Sequence, residues 1–430
     1  MKTKTLSLLQ ELKRYFLKYG KEKGHYLLAL SGGYDSKALC ELLLELKELY
    51  DFSLSVVHVD HNWREESSKE CEILEEYAKN NNLSFFSKKL GSVPTSDREN
   101  DARNKRYQFF QEIYSKLKCD GIFFAHHRDD QIETTVKRFL EGASLFALFG
   151  MQEISHYQGM VVLRPLLNVS KNDLCAYLEE KKISAFDDKS NYSFEYTRNR
   201  IRHELLPIMQ KAIGKTVSAP LGVMAFQSLE LKQYLDRKIA LDWSKRKSGV
   251  LGNYIDLQTS RLDPFELKYL VRKMFWAFMA PISKSNVERI VSWIQEDKKG
   301  SLILKEVHIY VDRKRLFLLY PTFNNFHFEV KVVSEDVSLE KVDWQTLWKG
   351  ESVLAVPMGE YQLKTFQKKD RLNQKLIYKC YQERKIPIFL KSYFPVLFRN
   401  NVPFFDLLTG IKDEKIKLNN EINLRIKIKK

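Results

Sequence analysis

The sequence predicts an α/β protein in three parts: a parallel sheet with helices on both faces over 1–215, a mixed and mostly helical domain over 216–335, and a small basic α+β domain over 350–430. Three observations predict it. Apolar runs of strand length alternate with helix-period segments through the first half. Two glycines flanked by hydroxyls join an early strand to the helix that follows it. Beyond Pro207 the alternation stops. The 430 residues, 44% apolar and 29% charged, form a globular composition long enough for two or three domains.

The strand-like runs fall at 25–30, 52–58, 83–86, 121–126 and 160–167. Helical patterns lie between and after them, at 37–49, 65–81, 101–117, 131–140 and 171–181. In such a sheet ligands bind beyond the carboxyl ends of the strands. After Pro207 the pattern predicts a helix at 222–243, two more at 263–297 divided by Ala280-Pro281, and two strands at 301–320 around a turn at 312–314. From 350 onward it predicts short β segments with prolines and one basic helix near 372–384.

Charge is unevenly placed. The chain carries net +16, of which residues 1–215 hold +2, residues 216–430 hold +14, and the last 70 residues alone hold +11. A polyanion is the expected partner, nucleic acid or an anionic membrane surface. No apolar run approaches the ~18–20 residues that span a bilayer, and Glu11, Lys13 and Arg14 interrupt any leader-like start. Cys40, Cys71, Cys119, Cys175 and Cys380 are scattered, without a CxxC, so no zinc ribbon, iron–sulfur site or dithiol pair is signalled. A cytoplasmic protein is expected.

The first strand runs into Ser31-Gly32-Gly33-Tyr34-Asp35-Ser36, and a helix follows. Adjacent glycines let successive backbone N–H groups turn toward one point. Ser31 and Ser36 add hydroxyls, and the helix N-terminus adds positive potential, an arrangement suited to pyrophosphate. Asp35 would repel a bare phosphate, so it fits a Mg²⁺ ligand or an amine-binding group. A generic strand–helix turn capped by Ser and Asp is the plainer alternative. Arg103 and Arg106 are three apart and share a helix face, to offset polyphosphate charge or simply to be solvated. Asp130 and Glu133 share a face at a helix start and can bind an ammonium, hold Mg²⁺ or accept a proton. His126 and His127 end the fourth strand, where contact with phosphate and a purely structural role are both open. Arg198, Arg200 and Arg202 spread around a helix axis, as contacts for nucleic acid or phosphate or as a charged junction helix making salt bridges. Lys368, Lys369, Arg371 and Lys375 lie among Tyr361, Phe366, Tyr378, Tyr381 and Phe389 in the basic tail. The charge there suits RNA. The aromatics suit either a small core or base stacking.

SGGxDS after a first strand resembles the PP-loop of the ATP pyrophosphatase superfamily. Further segments resemble the tRNA(Ile)-lysidine synthetases: Val57-His58-Val59-Asp60-His61 with Arg64 to Ser67, Ala102 to Tyr107, Ala125 to Thr134, Arg164 to Leu167, then Asp188, Ser190-Asn191 and Arg198 to Pro207. The resemblance implies a Rossmann-like PP-loop sheet in an ATP- and Mg²⁺-dependent ligase. That enzyme would adenylate the wobble cytidine of the CAU anticodon of tRNA(Ile) and join L-lysine to its C2, releasing AMP and pyrophosphate. Domain roles follow from it: catalysis over 1–215, tRNA contact over 216–335 and tRNA binding over 350–430. So do residue roles. Ser31, Gly32, Gly33, Tyr34, Asp35, Ser36 and His58 would hold ATP, with Asp35 on the metal. Arg103, Arg106 and His126 would contact cytidine or phosphate, and Asp130 and Glu133 would seat lysine. Arg198, Arg200, Arg202, Lys368, Lys369, Arg371 and Lys375 would bind tRNA. A homodimer stays open, as do two other functions: a PP-loop enzyme of the 2-thiocytidine type, which usually needs a CxxC, and an inactive RNA-binding relative. Tyr34, Glu141, Ser144 and Ala147 depart from the family pattern. The last three make the loop after the fourth strand stiffer and less basic.

Overall fold

A computed structural model describes residues 2–60, 67–90, 98–186, 197–325, 327–333, 342–367, 369–413 and 421–429. The chain forms two compact units, Met1–Gln233 and Tyr234–Lys430.

In chain order the first unit contains α1 (Lys2–Tyr19), β1 (His25–Ala29), α2 (Tyr34–Lys47), β2 (Ser53–Asp60), α3 (Ser67–Asn80), β3 (Ser84–Lys89), α4 (Arg98–Lys116) and β4 (Gly121–Phe123). Then come α5 (Arg128–Leu140), β5 (Ile154–Tyr157), β6 (Met160–Leu163), α6 (Lys171–Lys181), α7 (Thr197–Arg200), a π-helical turn (Ile201–Leu205), α8 (Leu206–Ile213) and α9 (Ser218–Lys238). The sheet order is β3-β2-β1-β4-β6-β5. All pairings are parallel except β5 with β6.

Burial on both faces explains the unbroken apolar strands. Along β2 every residue after Ser53 is buried. Alternate side chains feed separate cores. Leu28, Val56 and Phe123 pack with Leu12 and Phe16 of α1, Leu39 and Leu43 of α2, and Tyr177 of α6. Leu27, Val57 and Ile122 pack with Tyr107 and Phe110 of α4. α1 and β5 are among the elements beyond the expected ones. α1 buries Leu8, Leu12, Tyr15 and Phe16 at helical spacing. β5 is a short antiparallel edge strand paired with β6. The sequential order of strands reverses between β1 and β4. The loops leaving these neighbours diverge and open a crevice at that switch point.

The second unit begins with α10 (Ala240–Ser244), β7 (Lys247–Gly249), β8 (Gly252–Asp256), α11 (Pro264–Phe278) and α12 (Lys284–Gln295). The 301–320 stretch holds three strands rather than two: β9 (Gly300–Ile303), β10 (His308–Asp312) and β11 (Arg315–Leu319). They join β7 and β8 in an antiparallel sheet of order β7-β8-β11-β10-β9. The remainder is β-rich, with β12 (His327–Val333), α13 (Trp344–Leu347), β13 (Glu351–Pro357), β14 (Tyr361–Lys364), β15 (Arg371–Leu372), β16 (Lys375–Leu376), α14 (Ile377–Glu383), β17 (Val396–Arg399), β18 (Val402–Asp406), β19 (Ile411–Lys412) and β20 (Glu421–Lys429). The basic helix is therefore shorter than expected. Asn373 and Gln374 both take positive φ, 47° and 66°, and turn 371–376 into a tight hairpin instead. Tyr254, Phe317, Trp344, Trp348, Tyr381, Phe389, Leu397, Phe405 and Leu424 belong to one buried cluster. The 216–335 and 350–430 stretches thus share a core.

Candidate active site

The turn after β1 is built by its own side chains. Gly32 has φ +85°, and a Cβ there would come within 2.4 Å of the Phe186 ring, so both conformation and space demand glycine. Its carbonyl accepts the Phe186 amide at 2.9 Å. Ser36 Oγ accepts the amides of Ser31 at 3.2 Å and Gly32 at 3.1 Å, and donates to Gly33 O at 3.0 Å. Ser31 Oγ lies 3.0 Å from it. Two successive amides thus converge on one oxygen, the backbone geometry of a nest. The N-terminus of α2 begins at Tyr34, three residues earlier than expected, and Gly33 gives it no side-chain cap. Tyr34 is 40% exposed at the rim. His58 Nδ1 donates to the Leu30 carbonyl at 2.8 Å, tying β2 to the root of the turn. Burial holds that imidazole below its usual pKa.

Across the crevice, the segment after β4 starts α5. His127 is its N-cap. Its Nδ1 lies 3.2 Å from the Asp129 amide nitrogen and 3.4 Å from Asp129 Oδ2, while Asp130 Oδ2 accepts the His127 amide at 2.9 Å. His127 Nε2 stands 3.5 Å from Asp35 Oδ2 and 3.5 Å from Asp130 Oδ2. Asp35 Oδ1 is buried and has no hydrogen-bond partner. Burial, the largest influence on His127, opposes charge. The carboxylates of Asp129, Asp35 and Asp130 outweigh it and raise the pKa to about 9. Asp129, bonded to that ring and to the Lys171 amide, is lowered to about 2.

Asp130 and Glu133 are 7% and 2% exposed, and both are engaged. Arg198 Nε reaches Glu133 Oε2 at 2.6 Å, and its Nη2 bonds Asp130 Oδ1. Arg202 Nε reaches Glu133 Oε1 at 2.5 Å, and its Nη2 reaches Asp130 Oδ1 at 3.1 Å. Positions 198 and 202 are four apart, so these two share one helix face while Arg200 points elsewhere. Arg200 is exposed and contacts Thr197. The salt-bridging alternative thus describes Arg198 and Arg202. Burial is the largest influence on Asp130 and opposes its charge, but His127 and Arg198 prevail and keep its pKa low. His126 stacks on Phe124 at 5.7 Å. Burial drives its pKa down to about 3, with Arg164, Arg198 and Arg106 adding to the fall. Arg103 and Arg106 lie over the Tyr107 ring at 5.5 and 5.6 Å.

Gln131 and Arg138 contribute in a way that residue type alone does not reveal. Gln131 donates to the carbonyls of Phe149 and Met151 at 3.0 and 2.7 Å and accepts the Met151 amide at 2.6 Å. Arg138 bonds Ala147 O and Gly150 O. Together they pin the loop that carries Glu141, Ser144 and Ala147.

In the second unit, Lys369 is exposed, Arg371 Nη1 bonds Gln374 O, and Lys375 pairs with Glu383 at 3.4 Å. Lys368, His61, Arg64, Asp188, Ser190 and Asn191 lie outside the described residues. Tyr381 and Phe389 are core residues, whereas Tyr378 is 37% exposed. Among the described residues no three His, Cys, Asp or Glu side chains converge on a metal position. Mg²⁺ characteristically takes one or two carboxylates plus substrate phosphates. The unpartnered Asp35 Oδ1 beside the nest fits that requirement. No described helix is long and apolar enough to cross a membrane.

Residues 3–209 match the PP-loop domain family. The tRNA(Ile)-lysidine synthase of Protochlamydia amoebophila (strain UWE25) is 27% identical over 439 residues, covering 97% of this chain and 96% of that one. The Chlamydia muridarum tRNA(Ile)-lysidine synthase is 31% identical over 72% of this chain and 96% of its own. The Chlamydia pneumoniae one is 41% identical over 50% of this chain and 67% of its own. Among solved structures, a U34-tRNA thiolase from Methanococcus maripaludis overlaps 58% of this chain and 82% of its own, at 13% identity and a TM-score of 0.45, too loose a likeness to carry an argument. With relatives that match along nearly their whole length, the chain belongs to the tRNA(Ile)-lysidine synthase family.

Proposed function

We propose that this chain is an ATP-dependent ligase that joins L-lysine to C2 of the wobble cytidine in the CAU anticodon of tRNA(Ile), changing the codon read from AUG to AUA. The observation that carries this reading is family membership along 97% of the chain. The 31–36 nest and the α2 N-terminus bind the ATP phosphates and hold the leaving pyrophosphate. Asp35 is the residue that would hold Mg²⁺, which supplies positive charge against the pyrophosphate when bound. Cytidine O2 attacks the α-phosphate, and Arg103, Arg106 and His126 orient base and phosphate. The lysine ammonium gives up a proton, with Asp130 and Glu133 as the nearby acceptors, and the free ε-amine attacks C2 while AMP leaves.

Asp130 and Glu133 are the proposed lysine seat. That two guanidinium groups already sit on them supports their capacity for cations. A lysine ammonium would exchange with one of those contacts. Arg200, Lys368, Lys369, Arg371 and Lys375 are the proposed tRNA contacts, with Arg198 and Arg202 joining them if released. The chain works in the cytoplasm, and light scattering would show whether it does so as a homodimer.

The test is ATP-dependent incorporation of labelled lysine into an unmodified tRNA(Ile) transcript, with the CAU-bearing methionine tRNAs as competitors. Labelled sulfur uptake instead would point to the 2-thiocytidine class. Binding without turnover would point to an inactive relative.

A further inference from the structure

His127 is 1% exposed and lies between the turn after β1 and the start of α5. Its place at the start of α5 uses one nitrogen: Nδ1 lies 3.2 Å from the Asp129 amide nitrogen and 3.4 Å from Asp129 Oδ2. Serine, aspartate or asparagine would cap α5 equally well. The second nitrogen, Nε2, is thereby aimed at the gap between Asp35 and Asp130, 3.5 Å from a carboxylate oxygen of each. Asp35 leaves the loop after β1 and Asp130 the segment after β4, the two neighbours at the switch point. One ring nitrogen thus lies within 3.5 Å of a carboxylate from each side of the crevice.

We propose that His127 is a positioning residue for Asp35: it takes Oδ2 and so presents Oδ1 toward the phosphate nest. The second observation is the state of Oδ1, buried and without a hydrogen-bond partner. Leaving a carboxylate oxygen so desolvated is costly unless something fills the place. A carboxylate free to rotate would present either oxygen. His127 removes that freedom in the way outer partners of metal ligands do. The inference rests on the reading of the turn after β1 as the pyrophosphate site.

The test uses the full-length chain with His127→Asn, whose side chain still caps α5 and is too short to reach Asp35. Binding of labelled ATP is measured across Mg²⁺ concentrations, alongside lysine incorporation. The expected result is a roughly tenfold rise in the Mg²⁺ concentration for half-maximal ATP binding. A roughly 10–100-fold fall in kcat should accompany it, the range seen when outer partners of metal ligands are removed, with KM for tRNA unchanged. Combined with Asp35→Asn, it should add no further loss, because the two act through one carboxylate. A wild-type Mg²⁺ dependence, or losses that multiply in the double variant, would overturn the proposal. Should the Asn variant unfold, His127→Gln carries the test. Its amide can still donate toward Asp35, so near-wild-type Mg²⁺ dependence is expected, and a shift as large as that of Asp35→Asn would refute it. A wild-type chain that binds Mg²⁺-ATP but makes no lysidine would refute the functional reading and leave this one measurable.

Discussion

Glu133 is the side chain on which the site's electrostatics turn. It is 2% exposed and holds two guanidinium groups that are 45% and 22% exposed. Removing one partner of a buried pair costs about 3–5 kcal/mol, and partly exposed arginines place this case near the lower end. Glu133→Gln should therefore lower stability by roughly 3 kcal/mol in chemical denaturation and raise KM for lysine more than about tenfold, while KM for ATP holds. An unchanged lysine KM would remove Glu133 from the amine seat. His126 makes a pH prediction. Its ordinary value of 6.5 falls to about 3 through burial, with Arg164, Arg198 and Arg106 opposing Asp130. The unfolded chain takes up the proton near 6.5 and the folded one does so only near 3, so stability falls as pH drops below about 6.5. The limiting slope is about 1.4 kcal/mol per pH unit. His126→Phe should flatten that limb between about pH 6.5 and 4, and an unaltered limb would assign it to other groups.

At the scale of elements, the turn after β1 is legible in the sequence because its logic is local. Its glycines, hydroxyls and carboxylate lie within six residues, and Gly32 with φ +85° takes the left-handed conformation that this spacing implies. Gly32→Ala adds about 1–2 kcal/mol of backbone strain, before the Cβ meets the Phe186 ring at 2.4 Å. It should lower the melting temperature and abolish ATP binding. Retained binding would mean that the nest is not the phosphate site. The start of α2 lies three residues ahead of the expected one, since Tyr34, Asp35 and Ser36 look like turn residues while serving as its first turn. The sequence pattern hides α1 because charges interrupt its apolar stripe. Those charges face outward while Leu8, Leu12, Tyr15 and Phe16 face the core.

For the whole molecule, charge and compactness divide together: the second unit, 234–430, carries net +14. Deleting 361–430 would not isolate that charge, because Tyr381, Phe389 and Leu397 share a core with Tyr254 and Phe317. Charge reversal in the intact chain is the sharper test. Lys369, Arg371 and Lys375 are exposed, the last two with local partners, so changing all three to glutamate should shift stability by about 0.5 kcal/mol per site or less. KM for tRNA should rise. The log–log salt slope should shrink by roughly 0.7–0.9 for each phosphate left unneutralised, and ATP binding should stay constant. An unchanged salt slope would place the RNA grip elsewhere.

The sequence by itself determined the alternation of strand and helix, the glycine turn at 31–36, the family and the basic bias of the back half. Each of these is written in neighbouring residues or in sums over them. Tertiary structure alone decided who faces whom. Arg198 and Arg202 meet carboxylates more than sixty positions away. His127 reaches Asp35 across the switch point, and Gln131 pins a loop about twenty positions on. Pairing between distant positions depends on the direction each side chain takes once the sheet has formed, and no spacing along the chain carries that information.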